Sequence, residues 1–283
     1  MVHIVSDTTS GLPLDVAAEH GVTMVPQIIV FGEETYRDDT EMDTEAFLAK
    51  LRSSEELPKT AAPPPALYEP IFEELAAGGD TVICLHPSTD LSGTVRSATV
   101  AAQDFPEADI RVVDTRAIAA SLATMVLLAA EWAREGVDAD TIIERVEDLV
   151  ARQKVYFVVD TLEYLHRGGR IGGAKALLGG LLQIKPILTL EDGLVDALEQ
   201  QRTHKRAVAR LRELVVEGEG QPGHPDAHLA VMHVDAEDEA RELAAYFAGA
   251  LGRPPEQIPV YLLPPAIVVH GGPGILGAAY FEV

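Results

Sequence analysis

One cysteine, Cys84, is all that the 283 residues carry, and it sits inside an apolar run. An intramolecular disulfide and any cysteine-clustered zinc site are thereby excluded. The nine histidines stand in no HExxH pair or other ligand spacing, so no metal and no cofactor is expected. Basic residues are scarce: 22 Lys and Arg against 45 Asp and Glu give a net charge of −23. Such a chain repels polyanions, and nucleic acid is not expected as a partner. Long hydrophobic runs are missing too. The uncharged run at residues 117–130 contains Ser121 and Thr124 and is shorter than the ~20 residues a bilayer demands. It is expected as a buried helix, with no stable membrane insertion. Residues 1–7 show no basic stretch leading into an apolar run, so no signal peptide is expected and the cytoplasm is the expected location.

What is present is ordinary globular composition, 47% hydrophobic and 24% charged, enough chain for one large or two modest domains at about 100–200 residues each. In the first half, strand-like runs at 2–5, 22–31, 81–85 and 110–113 alternate with helical patterns at 44–52, 65–76, 92–103, 116–135 and 138–153. In the last of these, Ile142, Ile143, Val146, Leu149 and Val150 fall on one face. Alternation of this kind predicts an α/β fold with a mostly parallel sheet covered by helices on both faces. The second half changes character. A strand at 154–159 precedes a glycine-rich stretch at 168–180, and strands at 185–190 and 194–198 flank Glu191-Asp192-Gly193, a hairpin signal. A helix at 202–217, a polar loop at 218–225, a strand at 228–234, a helix at 237–251, a strand at 258–262 and a final pair at 267–269 and 275–282 complete a mixed sheet. Two α/β domains are expected, 1–155 and 156–283, with no low-complexity linker between them.

In an open α/β sheet, ligands sit beyond the carboxyl ends of the strands. Four such loops hold unusual sequence. SDTTSGL at 6–12 is rich in hydroxyls behind a carboxylate; it serves either to cap a helix or to bind a polar group. STDLSGT at 88–94 opens a helix, whose free amides suit an anion, and Ser92 is the hydroxyl expected to face it; capping by Ser88, Asp90 or Ser92 is the other reading. YLHRGGRIGG at 164–173 sets paired glycines beside Arg167 and Arg170; it suits a phosphate cradle or a plain solvated loop. HGGPGILG at 270–277 joins His270 to a turn expected to be too rich in Gly and Pro for a helix. Thr60, in KTAAPPP at 59–65, lies on a proline-stiffened extended segment. Neither GxSxG nor a phosphate-loop lysine motif occurs, so a serine hydrolase is not signalled.

Taken in this order, VSDTTSGL, STDLSGTVRSA, YLHRGGRIGG, IKPIL and HGGPGILG resemble the DegV family of bacterial lipid-binding proteins over essentially the whole chain. The resemblance implies a long-chain fatty acid as ligand, buried between two α/β domains, its carboxylate held by Thr60 and Ser92 and tied to His270. It implies a carrier that presents the fatty acid to a separate ATP-dependent fatty acid kinase for acyl phosphate formation, a step toward phospholipid synthesis. Gly93, Gly271 and Gly272 fall in the matching motifs. Arg170 matches the family's GGRI arginine; apart from the resemblance, Arg167, Arg170, Arg202, Lys205 and Arg206 are basic residues in an acidic chain, and Arg170 and Arg202 are candidates for the supporting polar network or partner docking, with ordinary solvated charge the other reading. At Ala61-Ala62 the family commonly has Ser-Gln, so side-chain support from these two positions is not expected. Burial of an acyl chain at about 0.8 kcal/mol per CH₂ gives roughly 10 kcal/mol for on the order of fifteen carbons, and the apolar stretches 117–130 and 174–182 are candidates to line its channel or to form ordinary core. The alternative is an enzyme transferring an acyl or phosphoryl group through Ser92 or His270.

Overall fold

Short Val- and Ile-rich runs in the first half become parallel strands. The computed structural model describes residues 1–54, 56–178, 184–218 and 224–283. The chain divides into two units, Met1–Ala151 with Pro264–Ala266, and Arg152–Leu263 with Ile267–Val283.

The first unit contains β1 (Val2–Asp7), α1 (Leu14–Glu19), β2 (Val22–Val25), β3 (Ile28–Phe31), β4 (Glu34–Arg37), α2 (Thr44–Ser53), β5 (Lys59–Ala61), α3 (Glu69–Ala76), β6 (Thr81–His86), α4 (Thr94–Ala102), β7 (Ile110–Asp114), α5 (Ala119–Arg134) and nearly all of α6 (Ala139–Arg152). Four strands form an all-parallel sheet ordered β2-β1-β6-β7. On one face Val5, Val82 and Cys84 pack with Phe72 of α3 and with Ala98 and Ala101 of α4. The alternate residues Ile4, Ile83 and Leu85 are equally buried and point the other way. This leaves their face to α5, which packs on β1, β2 and β6. Its Ala-rich sequence favours helix, and Ala120, Ala123 and Ala129 are wholly buried. The expected face of α6 is buried at Ile142, Val146 and Leu149, while Ile143 and Val150 are only half-buried.

The strand expected over 22–31 is in fact two. Pro26 has no N–H to continue a ladder, and beyond it β3 pairs antiparallel with β4 and β5 in a separate sheet ordered β4-β3-β5. The segment around Thr60 is therefore a strand, too short to show a period of two. Helix starts also move: 65–76 opens as a 3-10 turn at Pro65–Leu67 before α3, α4 begins at Thr94 and not at 92, and α5 begins at Ala119 and not at 116.

The second unit contains β8 (Gln153–Val158), α7 (Glu163–Arg167), β9 (Lys185–Glu191), β10 (Leu194–Gln201), α8 (His204–Gly218), β11 (Ala230–His233), α9 (Glu237–Leu251), β12 (Val260–Leu262), α10 (Pro265–Gly271, its first two residues grouped with the first unit) and β13 (Leu276–Phe281). The six strands form a mixed sheet ordered β10-β9-β8-β13-β11-β12, in which only β11 and β12 run parallel. The β9–β10 hairpin turns at Asp192 and Gly193, both at positive φ (48° and 76°), the conformation that an Asp-Gly pair supplies. Leu211 and Val215 of α8 join Leu243 and Phe247 of α9 over Val158, Ile187 and Leu276 of the sheet. Positions 179–182 of the apolar stretch and 219–223 of the polar loop lie outside the described residues.

One expectation is overturned here. Residues 267–269 are not a strand but the middle of α10, and His270 lies in its last turn. Pro265 is pre-set for a first helical position, and Gly272, at φ +77°, donates its N–H to Val268 O at 2.8 Å to close the far end. Together these outweigh the strand preference of Ile267, Val268 and Val269, a preference that depends on packing more than on backbone.

Candidate functional site

The chain runs from β1 to β2 on one side and returns to β6 and β7 on the other, so the strand order reverses between β1 and β6. A crevice opens at the carboxyl ends of such a pair. The last residues of these two strands, Asp7 and His86, meet across it: both are fully buried, and His86 Nδ1 donates to Asp7 Oδ2 at 2.7 Å. The other carboxylate oxygen, Oδ1, accepts from Thr9 N–H at 3.0 Å, Thr9 Oγ1 at 2.6 Å and Gln27 Nε2 at 2.9 Å. Asp7 thus caps the 3-10 turn Thr8–Ser10, as the capping reading of this loop expects, and also gathers a buried network. On its far side His86 Nε2 faces the Tyr68 hydroxyl at 3.2 Å, with the rings edge-on at 5.6 Å. Burial drives the Tyr68 pKa upward.

A second buried carboxylate, Asp38, is tied in through the same residues. Its Oδ1 accepts from Thr8 Oγ1 at 2.7 Å and Gln27 N–H at 2.9 Å. Burial pushes its pKa up to about 7, against the opposing pull of these two hydrogen bonds, and the neighbouring Asp7 adds to the rise.

Ser92 stands at the outer edge of this network. The loop 88–94 is held from below, since Ser88 N–H donates to Ala117 O at 2.9 Å and Thr89 Oγ1 to Asp114 Oδ2 at 2.6 Å. The supporting connection places two non-glycine residues, Arg116 and Ala119, at positive φ (51° and 54°), local strain of the kind that recurs near functional loops. No side chain caps α4, so the capping reading of this loop does not hold for its helix. Ser92 Oγ instead lies 2.7 Å from Thr94 Oγ1, which accepts from Gln27 Nε2 at 2.9 Å. Thr60 is half-buried in the middle of β5, opposite Ile29. Gly93 brings the two segments together, because a Cβ built on it would touch the Ala62 side chain at 3.6 Å. Thr60 and Ser92 are thus carried on adjoining segments.

In the second unit, His270 packs against Gly168, where any side chain would run into its ring. Burial pushes its pKa down to about 4, helped by the Arg170 guanidinium, so its ring is neutral at pH 7. Arg170 Nη1 donates to Gly168 O at 2.8 Å, which fixes the glycine loop around the histidine. Gly271 ends α10 and Gly272 follows it; a Cβ on the first would collide with Ile275 and on the second with the Tyr164 ring. Arg202 is exposed between β10 and α8, and Arg167 pairs with Glu163 at 3.3 Å.

Gln27, Asp38, Tyr68, His86 and Thr94 were not singled out from the sequence. Isolated residues at the ends of strands and helices carry no spacing signal; of these five, only Thr94 lies inside one of the motifs, STDLSGT. The buried Asp7–His86 pair has the form of a nucleophile-activating pair, but its other ring nitrogen meets the Tyr68 hydroxyl and Ser92 meets Thr94, so Ser92 is not set against that base. Among the described residues no group of three or more His, Cys, Asp or Glu side chains is placed to hold a metal ion, and no helix is long and apolar enough to cross a membrane.

A parallel sheet with a buried polar network at its switch point, carried in one chain with a six-stranded mixed sheet, defines a two-unit α/β protein with a hydroxyl-bearing candidate site. The chain belongs to the DegV family, since a family model described as "Uncharacterised protein, DegV family" matches residues 1–283. A DegV domain-containing protein of Streptomyces coelicolor is 39% identical over 279 residues, covering 98% of this chain and 96% of the relative. A solved structure of a DegV family protein from Thermus thermophilus, described for its fatty acid binding, aligns with a TM-score of 0.91 at 36% identity over 100% of this chain and 99% of that one. The structure of DegV, a fatty acid binding protein from Bacillus subtilis, aligns at 0.88 and 31% identity over 99% of each chain.

Proposed function

We propose that this chain is a fatty-acid-binding carrier that holds the carboxylate of a long-chain fatty acid with Thr60 and Ser92. The observation that carries the reading is the Ser92 hydroxyl, half-buried at the end of the Asp7–Gln27–Thr94 hydrogen-bonded chain and in the loop that adjoins the Thr60 segment. A carboxylate taken out of water needs converging donors; two hydroxyls and the uncapped amides at the start of α4 supply them. The fatty acid binding described for the Thermus and Bacillus proteins supports the same class of ligand. His270, assigned by its motif, belongs in this proposal to the polar network of the headgroup. The two structural units serve as the two α/β domains.

The carrier has no turnover of its own in this reading. An ATP-dependent fatty acid kinase would phosphorylate the presented carboxylate, with Arg170 and Arg202 assisting the network or the docking. The cytoplasm is the compartment this role requires. Titration of Ser92→Ala and Thr60→Val with a fluorescent fatty acid tests the assignment. Each variant loses ~1–3 kcal/mol of affinity, the value of a donor to a buried charged group, with the thermal midpoint near that of the parent; unchanged affinity in both contradicts it.

A further inference from the structure

Ser92 does not stand alone, and the hydrogen bonds behind it have a direction. Gln27 is 2% exposed and Thr94 wholly buried. The Gln27 backbone is pinned on both sides, its N–H to Asp38 Oδ1 at 2.9 Å and its C=O from Asp38 N–H at 3.1 Å. Its side-chain amide faces a carboxylate oxygen, which accepts, so the nitrogen end must point at Asp7. The second proton on that nitrogen then goes to Thr94 Oγ1 at 2.9 Å. Thr94 therefore accepts from Gln27 and has one proton left. Its remaining neighbour is Ser92 Oγ at 2.7 Å. If Ser92 donated inward, the Thr94 proton would be stranded in a buried position, an unfavourable arrangement. With Thr94 donating to Ser92, every proton of the chain is used and the Ser92 proton is free to point away from the core.

We propose that Gln27 and Thr94 are positioning residues that hold the Ser92 hydroxyl as an outward donor, so that the site favours an ionised carboxylate, an acceptor at both oxygens. This rests on the reading of Ser92 as a carboxylate ligand. Thr94→Val removes the proton that turns Ser92 outward, and Thr94→Ser restores it.

The test is a set of binding titrations with oleate and with oleyl alcohol on the parent, Thr94→Val, Thr94→Ser, Ser92→Ala and the Ser92→Ala/Thr94→Val double variant. Thr94→Val should weaken oleate about tenfold, the scale of one hydrogen bond to a charged group. Thr94→Ser should stay within about twofold of the parent. The alcohol should bind parent and Thr94→Val alike, and the Thr94→Val loss should vanish when Ser92 is already alanine. Gln27→Met, which lets Thr94 accept from Ser92, approaches the chain from its other end; its oleate loss should likewise disappear in the Ser92→Ala background, and this pair decides the matter if Thr94→Val does not fold. Loss that persists without Ser92, or that strikes the alcohol equally, overturns the proposal. So does oleate affinity unchanged in Thr94→Val while Ser92→Ala is weakened, and that result leaves the carboxylate reading standing. Unchanged affinity in Ser92→Ala itself overturns both.

Discussion

Asp38 shows how much the network depends on single atoms. Its carboxyl is held near pH 7 by burial, while in the unfolded chain it titrates near its ordinary value of 3.8. Between these two values the folded state binds more protons than the unfolded one, so stability is full below about pH 4 and declines as pH rises toward 7. Asp38→Asn keeps an oxygen for Thr8 and Gln27 but removes the titration. The stability of the parent relative to Asp38→Asn should therefore fall by on the order of a few kcal/mol from pH 4 to 7 and stay level above. Denaturant melts at several pH values measure it; a difference that is flat with pH contradicts it. At this scale the sequence was partly legible. Ser92 and Thr60 sit inside motifs, whereas His86 meets Asp7 from 79 positions away and Gln27 meets Thr94 from 67, and no local pattern announces contacts of that separation.

Among elements, periodicity carried most of the reading. The buried positions of α6 at i, i+4 and i+7, the parallel run of β1, β2, β6 and β7 and the Asp-Gly hairpin all follow from local pattern. The failures came where local preference and tertiary packing disagree. Pro26 splits one apolar run between two sheets, and three β-branched residues turn helical in α10 because the flanking Pro265 and Gly272 define its ends. Gly272 gives that account a direct check. It is at φ +77° with the Tyr164 ring against its α-carbon, so Gly272→Ala meets both backbone strain and a clash and should lower stability by about 1–3 kcal/mol. Thermal unfolding reads this, and a midpoint equal to the parent's would mean that α10 ends differently.

For the whole molecule, a net charge of −23 makes an exposed cation stand out to an approaching partner. Arg202 is exposed while Arg170 is engaged with Gly168 O, so Arg202→Glu is the cleaner reversal. If these cations steer a fatty acid kinase, Arg202→Glu should raise the KM for loaded carrier severalfold at low ionic strength and less at high salt, with oleate affinity unchanged. Equal kinetics for variant and parent at low salt would remove Arg202 from docking. Beneath all of this lies the claim that the chain carries a fatty acid, and one measurement addresses it directly: denaturing extraction of the purified protein, followed by quantitative mass spectrometry of the released lipid. The account predicts long-chain fatty acid at close to one per chain in the parent and markedly less in a Ser92→Ala/Thr60→Val variant purified alongside it. A parent that releases no fatty acid, and that fails to take up added oleate saturably, contradicts it.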